Sequence, residues 1–146
     1  FLTSPRDSNL PSLLATATDH ASGKIMIQRY IPANRYGDKR VLILNGKILG
    51  AFVRRPPATD FRANLSVGGT MHKSEVNSRD REIVRALTPK LLSYGLLFVG
   101  IDIIGKYLTE INVTSPAGIP EINFFNKTRL ETQVVDLIEQ KVKRVS

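Results

Sequence analysis

Apolar residues gather along this chain in short runs whose spacing predicts most of its elements. Residues 41–44 and 47–53 flank Asn45-Gly46. Asn-Gly accepts the two positive φ angles of a type I′ turn, so the two runs predict a β-hairpin. Residues 96–104 and 107–113 flank Gly105-Lys106 and predict a second one. Within residues 78–94, Ile83, Val84, Leu87, Leu91 and Leu92 recur at helical spacing, with Ser78 as N-cap, Pro89 as a bend and Gly95 as a stop. Leu130, Val134, Leu137, Ile138 and Val142 trace the inward face of a terminal helix over residues 127–145. A short helix is expected over 12–20 and a strand over 25–31, ending at Pro32. Residues 1–11, 54–73 and 114–126 read as loops. Hairpins outnumber βαβ crossovers, so the predicted class is α+β, an antiparallel sheet backed by helices.

At 146 residues and 42% hydrophobic composition, the chain can bury one domain's core without staples. It has no cysteine, which excludes disulfide scaffolds, thiolate metal sites and cysteine nucleophiles. The longest apolar run, residues 96–104, is interrupted by Gly100 and Asp102 and is too short to span a bilayer. No basic-then-apolar leader is visible, so a cytoplasmic protein without a membrane partner is expected. The chain opens at Phe1 rather than methionine, which fits a piece of a longer polypeptide. Its net charge of +8 invites a polyanionic or phosphate-bearing partner. The aromatic residues do not interleave with a basic stripe, so nucleic acid is not expected as that partner. His20 and His72 stand without acidic or nucleophilic companions, and hydrolytic triads gain no support.

The sharpest chemistry lies in Asp102, Glu110 and Asn112, hard oxygen donors set among large apolar residues. Burying a carboxylate there is costly unless a cation compensates it. Glu110 and Asn112 are two apart and share a strand face. A two-residue turn at Gly105-Lys106 would pair Asp102 with Thr109 and send it to the other face. A three-residue turn would pair it with Glu110 and leave a site suited to Mg²⁺. The alternative is that Asp102 caps a turn while Glu110 and Asn112 face solvent. Arg40 and Arg54 close the open end of the first hairpin, and Arg55, Arg62 and Lys73 line or flank the long loop after it. Guanidinium groups bind carboxylates and phosphates bidentately, which suits an anionic substrate, while a solvated basic loop is the competing reading.

These segments also resemble a known family. The strings Gly37-Asp38-Lys39-Arg40-Val41-Leu42, Arg62-Ala63-Asn64-Leu65 with Gly68-Gly69, Phe98-Val99-Gly100-Ile101-Asp102-Ile103-Ile104-Gly105 and Leu108-Thr109-Glu110-Ile111-Asn112-Val113-Thr114-Ser115-Pro116 are similar to bacterial glutathione synthetases of the ATP-grasp superfamily. The resemblance covers nearly the whole chain and implies the C-terminal part of an ATP-grasp domain, with residues 54–70 as a flexible lid. It implies an ATP-dependent ligase joining γ-glutamylcysteine to glycine through an acyl phosphate, homo-oligomeric when full length. Asp102, Glu110 and Asn112 would hold two Mg²⁺ ions (or Mn²⁺), and Arg40 and Arg54 would face phosphate or acyl phosphate. Arg62 and Asn64 would meet the dipeptide and Ser115 the acceptor amino acid. Gln28, Tyr30 and Ile31 would meet adenine, with Asp38 near the ribose. Thr70 and Pro120 stand where the family usually carries arginine, Arg55-Pro56-Pro57 is more basic and stiffer than the family's usual lid start, and these departures bear on substrate preference.

Overall fold

The computed structural model describes residues 2–60, 62–63 and 68–143. The chain divides into two compact units, Phe1–Pro32 and Ala33–Ser146. In the first, helix α1 covers Leu10–Ala17, with Pro11 in its opening turn, where a missing N–H costs nothing. It stops short of the expected His20, because Asp19, His20 and Ala21 all take positive φ. Thr18 Oγ1 donates to Leu14 O at 2.8 Å and closes the helix end. Residues 25–31 form no strand. Their apolar residues suit one, but a strand without a paired neighbour leaves its backbone groups unsatisfied. Met26 and Ile27 are instead exposed.

The second unit is built on a five-stranded antiparallel sheet in the order β3-β2-β1-β4-β5. Strands β1 (Asp38–Leu44) and β2 (Lys47–Arg55) form the predicted hairpin, with Asn45 at φ 48° and Gly46 at φ 78° in its turn. Strand β3 (Thr70–Lys73) pairs with the end of β2 and corrects the reading of residues 54–73 as one continuous loop. Its four mixed residues, Thr-Met-His-Lys, carry too little pattern to announce an edge strand. The residues expected as a lid therefore begin and end in paired strand, at Arg54 opposite Met71 and Arg55 opposite Thr70.

Helix α2 (Ser78–Ser93) is capped by Asn77 rather than Ser78. Asn77 Oδ1 accepts from Asp80 N at 2.9 Å while Asp80 Oδ2 accepts from Asn77 N at 2.9 Å, a reciprocal capping box. Asp80 is buried and also binds Lys39 Nζ at 2.6 Å, which ties the helix start to β1. Strands β4 (Phe98–Ile104) and β5 (Tyr107–Asn112) form the second hairpin. Helix α3 (Ile119–Asn126) occupies more than half of what reads as a loop over 114–126. Pro120 lies in its first turn, where proline starts helices rather than breaking them. Helix α4 covers Leu130–Lys143.

Alternate residues of β1 feed two cores, which is why the run at 41–44 is apolar at every position, whereas β4 gives Val99, Ile101 and Ile103 to one core and sets Gly100 and Asp102 on the other face. Val41, Ile43, Val99 and Ile101 pack with Ile83, Val84 and Leu91 of α2. Leu42 and Phe52 pack on the opposite face with Ile122 of α3 and Leu130 of α4. Of the residues expected to turn inward on α4, Leu130 is buried, but Ile138 and Val142 are exposed. Val134 and Leu137 are half-buried, so burial falls off toward the C-terminal end of that helix. Among the described residues, no helix is long and apolar enough to cross a membrane.

Candidate functional site

Strand register collects the polar residues on the α3 face of the sheet. Phe52 of β2, Arg40 of β1, Asp102 of β4 and Glu110 of β5 lie in one row across four strands. Asp38 and Arg54 form the neighbouring pair toward the hairpin's open end. The turn at Gly105-Lys106 has two residues, which by the simple rule would have separated Asp102 from Glu110. A β-bulge between Asp102 and Ile103 restores the pairing: Ile103 faces Leu108, Asp102 faces Glu110, and Thr109 is the extra residue. Thr109 Oγ1 donates to Asp102 O at 3.0 Å and pins the bulge. The pairing expected of a longer turn is therefore achieved by an irregular strand.

Asp102 is buried, and two guanidinium groups compensate it. Arg40 Nε and Nη2 donate to its two carboxylate oxygens, the latter at 2.8 Å, and Arg54 Nη2 adds a bond to Oδ2 at 2.9 Å. Arg40 is itself buried and spends a further donor on Ala117 O at 3.3 Å. Gly100 leaves the room it needs, since a Cβ there would lie 3.3 Å from Arg40 Cδ and 3.0 Å from Pro116 Cβ. Arg54 Nε donates to Asp38 Oδ1 at 2.6 Å. Asn112 is fully satisfied with its amide nitrogen toward Glu110 Oε1 (2.9 Å) and its oxygen toward Arg40 Nη2 (3.3 Å).

The Asp38–Arg54 pair is electrostatically unequal. Burial pushes the Asp38 carboxyl above the ordinary aspartate value, and this outweighs the bond and attraction from Arg54 that pull it down. Burial also works against the Arg54 cation, but bonds and attraction from both Asp38 and Asp102 hold its pKa above the usual value. Both values rise, which disfavours the Asp38 carboxylate but favours the Arg54 cation, because Arg54 faces two carboxylates, whereas Asp38 has one bonded guanidinium and feels Asp102 as a like charge.

These side chains line a cavity of about 340 Å³ closed on the α3 side by Gly118 and Glu121. Four carboxylates, from Asp38, Asp102, Glu110 and Glu121, stand against two guanidinium groups, so its wall carries a formal charge of −2. The chain as a whole carries +8. Cations are thus drawn to this place, and anions only to its arginines. Among the described residues, no three His, Cys, Asp or Glu side chains converge as a metal site. The donors available to a metal are two carboxylates and the Asn112 amide.

Arg40, Arg54, Asp38, Asp102, Glu110 and Asn112 are thus brought together. Arg62 is not: it is exposed and bound to Asp60 at 2.6 Å. Ser115 is exposed in the connection between β5 and α3 and does not line the cavity. Gln28, Tyr30 and Ile31 belong to the first unit. Asn64 lies outside the described residues. Glu121 was missed as a site residue, because with residues 114–126 read as loop nothing aimed its side chain anywhere. Proline one residue before an acidic residue, after Gly118, is the helix-start signal that would have found it.

A family model described as prokaryotic glutathione synthetase, ATP-grasp domain, matches residues 1–127. The chain is 47% identical over 129 residues to a glutathione synthetase of Thermosynechococcus vestitus, covering 88% of this chain and 41% of that protein. It is 43% identical over 141 residues to a glutathione synthetase of Bradyrhizobium diazoefficiens, covering 97% of this chain and 45% of that protein. The chain therefore spans less than half the length of these curated relatives. Its fold is similar to that of a D-alanine–D-alanine ligase from Bacillus anthracis solved with ATP, with a TM-score of 0.63 over 96% of this chain and 50% of the other, at 14% identity.

Proposed function

The chain belongs to the prokaryotic glutathione synthetase ATP-grasp family, and on that premise we propose that it forms the C-terminal part of the ATP-grasp domain of a Mg²⁺-dependent ligase. In this reading ATP phosphorylates the carboxylate of γ-glutamylcysteine, and the amine of glycine displaces phosphate from the acyl phosphate. The observation that carries it is the row Arg40–Asp102–Glu110, which lines one cavity with Arg54 and has Asn112 within bonding distance of Glu110 and Arg40. Phosphoryl and acyl transfer need charge neutralised and partners held more than they need covalent help.

Arg40 and Arg54 supply the cations for phosphate oxygens. The buried Arg40 and half-buried Arg54 guanidinium groups are already oriented by the shared Asp102, so phosphate oxygens can replace Asp102 as their partner with little reordering. Asp102, Glu110 and Asn112 would hold two Mg²⁺ ions (or Mn²⁺), and two carboxylates with one amide oxygen fit that ion, which keeps waters and shares phosphate oxygens. Bound there, the ions would neutralise the triphosphate. Arg62 and Asn64 are assigned to the dipeptide, Ser115 to the acceptor, and Gln28, Tyr30, Ile31 and Asp38 to the nucleoside, on the resemblance of their motifs. The segment 54–70, anchored by strand pairing at both ends, would be the lid. The remaining length of the relatives would supply the other half of the nucleotide grip, in a cytoplasmic homo-oligomer.

The negative cavity wall argues against a polyanion-binding module using this face. A ligase of the same superfamily with a different acceptor keeps every feature above, and Thr70 and Pro120 are where such a difference would show. The test is phosphate release by the chain extended to the length of its relatives. Release should require both γ-glutamylcysteine and glycine, and Asp102→Asn with Glu110→Gln should abolish it. Release with other amino acids in place of glycine would indicate the alternative acceptor.

A further inference from the structure

Glu121 is the one side chain of the cavity wall for which neither the register nor the motifs give a partner. Its Oε2 is buried and has no hydrogen-bond partner. A carboxylate oxygen in that state is destabilising, and such groups persist in native proteins where a ligand completes them. The cavity's guanidinium groups are committed elsewhere: Arg40 to Asp102 and Ala117 O, Arg54 to Asp38 and Asp102. Glu121 is also held firmly. A Cβ on Gly118, at φ +135°, would meet Phe52 Cε1 at 2.7 Å, and one on Gly50 would meet Ile122 Cγ2 at 2.5 Å. Helix α3 therefore packs closely against the sheet at Gly50 and Gly118, which fixes the backbone from which Glu121 projects.

We infer that Glu121 is the acceptor for a primary ammonium group of a small substrate bound in this cavity. Of the wall's four carboxylates, Asp38 and Asp102 are bonded to arginine and Glu110 to Asn112, so Glu121 carries the negative charge left to compensate. In the ligase reading Asp102 and Glu110 are assigned to Mg²⁺, which leaves Glu121 for an organic cation. An ammonium brings three N–H donors and needs only one charged acceptor. Phe52 and Met71 form the apolar part of the wall and restrict the ligand to a small one. The inference rests on the ligase reading, which offers two sources of that chemistry: the amine of the acceptor amino acid and the α-amino group of the γ-glutamyl substrate.

The test is an NMR titration of the ¹⁵N-labelled chain, with Mg·ADP present, using glycine, γ-glutamylcysteine and the N-acetyl derivative of each. Glycine or γ-glutamylcysteine should shift the Glu121 amide, and its N-acetyl form should not. The responding compound identifies the source. Glu121→Gln should weaken that ligand by about tenfold or more, the order expected when a charged hydrogen bond is lost. It should leave Mg·ADP affinity within about twofold and, by removing a buried unpaired charge, raise the melting temperature by about 2–5 °C. Equal binding of the N-acetyl forms, unchanged affinity in Glu121→Gln, or a lowered melting temperature would overturn the inference. So would the absence of ammonium binding while Mg·ADP binds. If the parent chain fails to bind Mg·ADP at all, the ligase reading falls and the inference falls with it.

Discussion

Asp102 illustrates how a single residue can be read correctly for its environment and incompletely for its partner. Its place in an apolar strand implied burial with a compensating cation, and it is buried. The cation in the structure is a pair of arginines drawn from the other hairpin, more than 45 residues away in sequence, and sequence spacing carries no signal for that. Three outcomes follow at this scale. Arg40→Met should cost about 3 kcal/mol in urea denaturation, since it leaves a buried carboxylate short of its bidentate partner. Mn²⁺ alone should bind at least about tenfold more weakly than Mn²⁺ with ADP, by paramagnetic resonance, because phosphates give Arg40 and Arg54 another partner and free Asp102. Asp38 titrates above its unfolded value of about 3.9. The folded chain therefore binds that proton more tightly, and its stabilising contribution is lost as pH rises through the window above 3.9. The stability of the parent relative to Asp38→Asn, measured by urea midpoint, should be larger near pH 4 than near pH 6.

Among elements, the hairpins and α2 were legible because turn chemistry and period agree there. The pairing of Asp102 with Glu110 was weighed through turn length alone, and a bulge at Thr109 decided it instead. Bulges add one residue without a composition cue, so two registers remain open in any such hairpin. The strand expected over 25–31 shows the opposite failure: local apolar pattern with no paired neighbour among the described residues. Helix α3 was hidden in residues 114–126, read as loop, although Pro120 sits in its first turn. Its docking is testable. Gly50→Ala places a methyl 2.5 Å from Ile122 Cγ2, so it should cost about 1–3 kcal/mol by urea denaturation, more than the entropy an alanine recovers.

For the whole molecule, charge and architecture pull apart usefully. A chain of net +8 suggested a polyanion, yet the cavity that its sheet register assembles carries −2. That contrast suits a site where arginines meet phosphate while carboxylates meet metal and amine. The central claim is that this cavity is a nucleotide–metal half-site, and calorimetric titration of the 146-residue chain with ADP, with and without Mg²⁺, tests it most directly. The account predicts binding that requires Mg²⁺ and is lost in the Asp102→Asn, Glu110→Gln double variant. Binding that persists without Mg²⁺, or that survives in the double variant, would contradict it.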